Sequence, residues 1–249
     1  MPRLTLVMVS VIPILVYGNA FAQDRAVSAA NGELSLSLVK FKFKNQDSDL
    51  NGELIGAQGN VPLGRYFGLN LDTSRSKLKQ SGSVGVDQDT LTYSASPFWR
   101  DPKLGLVGVT VGRERSDLDF AGAQNRVTLK EKAINASAYV GPVTLSVSRE
   151  KTTLTGALPP EFNIVLTDIV WYLSLDFLID LSVGAQDAKK TYMLTFEHQL
   201  NDLPNLSYGL AYLRDTRDGS SGLAVTVTYR FAETKSLMRR YREDLFGVR

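Results

Sequence analysis

The chain has no cysteine and a single histidine, His198. Disulfides, thiolate metal sites and cysteine nucleophiles are thereby excluded, and so is any multi-histidine metal centre. A net charge of +2 over 249 residues supplies no basic field for nucleic acid. Beyond residue 22 no apolar run reaches the roughly 20 residues that a membrane-crossing helix needs. No cofactor motif is present. The glycines at 105, 108 and 112 sit in a strand pattern with no helix after them, so they form no phosphate cradle. Residues 215–219 lack the spacing and the closing Glu of a calcium loop and read as a hairpin turn.

The N-terminus does carry a signal. Met1-Pro2-Arg3 is a short positive start, residues 4–17 are apolar, and Ala20 and Ala22 place small side chains at the −3 and −1 positions. This pattern predicts a secretory signal over 1–22 and a periplasmic lead-in over 23–31. From residue 32 the chain becomes a series of short segments with period-two alternation. The clearest is 223–231, with Leu223, Val225, Val227, Tyr229 and Phe231 on one face and Ala224, Thr226, Thr228 and Arg230 on the other. We count twelve such segments. The first, 33–44, changes phase near Val39, which predicts either a bulge there or a strand edge nearer than residue 44.

The connections alternate in length. Those after segments two, four, six, eight and ten are tight, whereas the polar stretches 75–88, 114–128 and 152–163 read as long loops. Short turns at one end and long loops at the other fit a membrane barrel better than a sandwich with Greek-key connections. Phe67, Trp99, Tyr139, Tyr208, Tyr229 and Phe231 fall at strand ends near the short turns, as interfacial aromatics would.

On these features the chain resembles bacterial outer-membrane β-barrels of the porin-like kind. The resemblance implies an all-β fold: a transmembrane antiparallel up-and-down barrel of about twelve strands over 32–231, in the outer membrane of a Gram-negative bacterium. It also implies that Val227, Tyr229 and Phe231 form the C-terminal signal read by the barrel-assembly machinery. Two departures stand out. The chain continues past Phe231 for eighteen residues, Ala232–Arg249, and Thr226 occupies the place where the pattern favours glycine. That tail has Leu237, Tyr241, Leu245 and Phe246 near helical spacing among Lys235, Arg239, Arg240 and Arg242. It predicts a short basic amphipathic helix that lies on the inner headgroups, plugs the lumen from below, or binds a periplasmic partner.

Inward faces rich in Ser, Thr and Gly, with Lys40, Lys42, Asp72, Arg100, Glu131, Glu150, Asp168, Glu197 and Arg230 interspersed, predict a lumen of mixed charge, either water-filled or plugged by a charge-paired lattice. Glu150 and Asp168 are expected on neighbouring strands as a carboxylate pair. His198 shares the phase of Phe196 and Leu200 and is expected on the lipid side, away from any catalytic partner. The function expected is a passive channel for small solutes, in contact with outer-membrane lipid and without a cofactor or catalytic residue. The alternatives are a lipid-modifying hydrolase and a non-conducting structural or adhesion barrel.

Overall fold

A computed structural model describes residues 30–42, 49–81, 86–101, 103–120, 123–155, 161–186, 189–216, 219–231, 236 and 237. The expected signal, the lead-in up to residue 29 and the tail helix, apart from Ser236 and Leu237, lie outside the described residues.

Twelve antiparallel strands close into one barrel: β1 (Asn31–Lys42), β2 (Asp49–Pro62), β3 (Phe67–Gln80), β4 (Val86–Asp101), β5 (Gly105–Phe120), β6 (Ala123–Val140), β7 (Val143–Thr155), β8 (Glu161–Ser174), β9 (Phe177–Gln186), β10 (Lys189–Gln199), β11 (Leu206–Asp215) and β12 (Ser221–Phe231). Each pairs with its sequence neighbours, and β1 pairs with β12 from Gly32↔Phe231 to Lys42↔Ser221. With an even strand number, both ends of the barrel segment lie at one rim. In outer-membrane barrels with an even strand number that rim is periplasmic. Gly141 adopts φ 53° there, the left-handed conformation that the two-residue turn between β6 and β7 demands.

The outward face carries the apolar belt. On β12 it is Leu223, Val225, Val227, Tyr229 and Phe231; on β4 it is Leu91, Tyr93 and Trp99, with Ala95 and Pro97 in phase. A soluble protein would bury this surface; here it faces hydrocarbon.

Above the belt the polarity of the wall reverses. On β3 the outward series runs Phe67, Leu69, Leu71 and then Arg75, Lys77, Lys79, while the inward series runs Asn70, Asp72, Ser74, Ser76 and then Leu78. β1 and β5 do the same: Val39, Phe41 and Leu118 face inward where Lys40, Lys42 and Asp117 face outward. The physical reason is a change of solvent. Within the bilayer the outer face is in lipid and the inner face meets polar groups. Beyond it the outer face meets water, and the inner face packs on itself as a soluble core does.

This reversal corrects several expectations. β1 has no bulge: its register to β12 and β2 is unbroken, and only the chemistry of the two faces changes near Val39. Lys40 and Lys42 therefore point out of the barrel, and Lys40 pairs with Asp49 at 2.7 Å. Residues 75–88, 114–128 and 152–163 are mostly strand, leaving connections only at 81–85, 121–122 and 156–160. Ladders from Val86↔Phe120 and Phe120↔Ala123 downward make β4, β5 and β6 a stiff projection above the membrane. Outward ion pairs bind its strands together. Arg75 holds Asp89 through two hydrogen bonds (2.9 and 2.6 Å), and Arg126 holds Asp117 in the same way (2.6 and 3.2 Å).

Two inward phenylalanines lie flat over glycines across the ladder, Phe98 over Gly68 and Phe41 over Gly222. A Cβ at either glycine would collide with the ring. Gly68→Ala and Gly222→Ala are therefore expected to cost about 1–3 kcal/mol each through overpacking, read as a lower urea midpoint of the refolded barrel.

Candidate functional site

The lumen is the candidate site, and its wall is layered. Near the extracellular rim, Val39, Phe41, Leu50, Leu78, Leu213 and Ala224 form one buried apolar cluster, with Ile164, Leu166 and Met193 beside it. At the periplasmic end, Phe98, Leu106, Val170, Tyr172 and Leu178 form another. Between them lies a polar belt.

The belt is built by hydroxyls and amides that bond across the ladder. Ser96 and Thr110 share a hydrogen bond of 2.8 Å, and Asn135 donates to Thr110 at 3.0 Å. Ser137 and Ser146 bond at 2.9 Å, and Ser37 and Thr226 at 2.8 Å across the seam between β1 and β12. Asn70 donates to Asn60 and Asn60 to Asn31, both at 3.2 Å. Each of these residues thus satisfies a neighbour and stays close to the sheet.

Charge is the second feature. Asp72, Arg100, Glu131, Glu150, Asp168, Glu197 and Arg230 face inward, and so do Glu33, Glu114, Asp180 and Asp215. Among the described residues within the barrel this makes nine carboxylates to two guanidiniums. The lumen is acidic, not mixed. Two of the expected cations, Lys40 and Lys42, are on the outer wall. The added acids escaped the sequence for separate reasons. Glu114 and Asp215 lay in stretches read as loops, Asp180 began a strand, and Glu33 stood opposite Leu34 where its parity could have been read.

Arg230 is the main ionic junction. It is 2% exposed, and its guanidinium reaches Glu33 at 3.2 Å, Glu197 at 2.6 Å and the Ser207 hydroxyl at 2.6 Å. Ser207 in turn donates to Glu197 at 2.5 Å. Arg100 lies over the Phe98 ring at 4.6 Å, a cation–π contact at the lower rim. Glu150 and Asp168 do not meet. Glu150 is opposite Ile164 and Asp168 opposite Ser182, so the near neighbour of Asp168 is Asp180.

The tail enters this picture at one residue. Leu237 is fully buried, packed into the periplasmic cluster with Phe98, Leu106, Val170, Tyr172 and Leu178. Tyr139, expected among the outer aromatics, turns inward and packs on the same cluster. It occupies an odd position of β6, whose even positions Ile134 and Val140 face lipid. The other interfacial aromatics face outward: Phe67 lies opposite Trp99, Tyr208 is exposed, and Tyr229 meets Phe231 edge-on at 5.0 Å.

His198 also faces outward. Its Nδ1 lies 3.0 Å from the Asp176 carbonyl, and its ring meets Tyr208 at 5.5 Å and Phe177 at 6.1 Å. These contacts brace the turn between β8 and β9. Among the described residues no serine and no carboxylate hydrogen-bonds to His198.

No protein-family model and no curated protein matches the sequence. Solved structures do match. The translocator domain of the autotransporter NalP from Neisseria meningitidis superposes with a TM-score of 0.60 at 11% identity, over 83% of this chain and 89% of that one. An outer membrane channel from Pseudomonas putida F1 gives 0.60 at 11%, over 82% and 96%. The KdgM porin gives 0.54 at 13%, over 80% and 99%. At such identities the likeness is one of fold: a closed antiparallel β-barrel of the kind that these bacterial outer-membrane proteins share.

Proposed function

We propose that the protein is a passive outer-membrane channel for small solutes, preferring cations, with Leu237 stopping its periplasmic mouth at rest. The observation that carries this reading is the inward face at mid-barrel, where Ser, Thr, Asn and Gly line the wall and carboxylates outnumber cations. Twelve strands enclose more space than the eight whose side chains just fill a barrel. A ring of carboxylates concentrates cations, and apolar constrictions close a pore by shedding water. Conduction of this kind needs no cofactor. The hydrolase alternative draws no support from His198, which braces a turn on the lipid side.

Refolded protein in a planar bilayer between unequal KCl solutions tests this. Stepwise openings are expected, with a reversal potential on the cation side. Asp168→Asn combined with Asp180→Asn is expected to move that potential toward zero, while His198→Ala leaves the steps unchanged. If neither the full chain nor one ending at Phe231 conducts, the channel reading is lost. An anion-directed potential removes the cation preference alone.

A further inference from the structure

The outer wall bears a charged patch that the lumen does not use. Arg113 on β5, Lys130 and Lys132 on β6, and Arg149 and Lys151 on β7 all point outward and are exposed. The register sets them side by side: Arg113 opposite Lys130, and Lys132 opposite Lys151. Arg149 sits one outward step below Lys151, opposite Ile134. Like charges facing each other across a ladder are destabilising, yet here two such pairs are adjacent. Lys151 has a partner in Glu161 at 2.8 Å. No carboxylate of the described residues lies within ion-pair distance of Arg113, Lys130, Lys132 or Arg149. The contrast with the projection directly above is sharp, because there Arg75, Lys79 and Arg126 each pair with an aspartate.

Position gives the second observation. The patch begins where the apolar belt stops, and the belt is short here. On β5 the outward apolar residues are Val107, Val109 and Val111, and on β7 they are Val143, Leu145 and Val147. That is about 17 Å of strand at ~3.3 Å per residue, against about 30 Å for positions 91–99 of β4. On this side of the barrel the cations therefore stand where the hydrocarbon of the outer leaflet meets its headgroups. Long basic side chains at that depth reach up to anionic groups.

We propose that Arg113, Lys130, Lys132 and Arg149 form a binding site for the phosphates of a phosphorylated, multiply acylated glycolipid of the outer leaflet. The acyl chains lie on the valines of β5 and β7. The phosphates bridge the opposed cations and relieve the repulsion between them. A single phosphate oxygen set reaches two cations at once, and arginine offers it a bidentate fork. The site depends on the barrel fold and its orientation, not on conduction through the lumen.

The test uses the full refolded chain in a neutral detergent, titrated with fluorescent lipid A carrying two phosphates, with the same lipid after both are removed, and with inorganic phosphate. Binding of the phosphorylated lipid is expected to weaken as salt rises. R113Q/K130Q/K132Q/R149Q is expected to bind roughly 50-fold more weakly or worse. R113K/K130R/K132R/R149K should retain the affinity, and K189Q/K190Q, on β10 and three strands away from β7, should not alter it. Heat-modifiable migration confirms that each variant is folded, and the comparison of the two lipids on the unaltered protein needs no variant. Equal binding of the dephosphorylated lipid overturns the proposal. So does displacement by inorganic phosphate, or a glutamine variant that binds lipid normally but loses an oligomer, which assigns the face to a second copy of the chain.

Discussion

Cutting the chain after Phe231 is expected to turn a barrel that opens rarely into one that conducts steadily. Leu237 is the only described tail residue in the periplasmic cluster, and it is fully buried there by side chains of β4, β5, β8 and β9. Full burial of a leucine contributes about 2 kcal/mol, which sets the closed-to-open ratio at roughly 30-fold. Leu237→Ala should therefore move the open probability part of the way toward that of the truncated chain, and Leu237→Asp should approach it. The charge of the segment adds a second readout. Residues 232–249 carry Lys235, Arg239, Arg240 and Arg242, and the lumen next to Leu237 is acidic. Truncation is thus expected to raise cation selectivity together with open probability. Single-channel recording of the full and shortened chains decides this: unchanged open probability without the tail removes Leu237 as the stopper.

The same residue marks the limit of what the sequence discloses. Twelve strands and their order were legible because the belt imposes strict alternation, and each segment could be read independently of its partners. The strand ends were not. Above the belt, residues 75–80 and 114–120 keep their ladder but exchange the chemistry of their faces, so the period-two signal dissolves although the strand continues. Lys40 and Lys42 were misplaced by that exchange, since a swap of chemistry at Val39 mimics a swap of direction. Tyr139 was misplaced differently: nearness to a short turn was given more weight than its parity with Ser137 and Asn135. Leu237 was beyond reach for a third reason. Its partners come from four strands far apart in the chain, and a helical period identifies an apolar stripe without saying what covers it. The four cations of β5–β7 were each visible, but their opposition is a matter of register, which two neighbouring strands fix jointly.

Replacing Arg230 with alanine is expected to produce the largest loss of stability of any single substitution in the barrel. The closing seam is the reason. Glu33 on β1 and Arg230 on β12 are direct partners across it, and Glu197 on β10 reaches the same guanidinium from two strands away. The three side chains are 3–9% exposed, so removing the cation leaves two carboxylates facing one another out of bulk water. Breaking a buried ion pair from one side costs about 3–5 kcal/mol, more than the overpacking expected at Gly68 or Gly222. The measurement is the urea midpoint of refolded protein, with heat-modifiable migration as a second readout. Arg230→Met alone should match the alanine variant, while Arg230→Met with Glu33→Gln and Glu197→Gln should recover most of the loss, because no buried charge then remains. If the triple variant is no more stable than the single one, the seam is held by backbone pairing and the outward contact of Tyr229 with Phe231, and the ionic junction serves the lumen only.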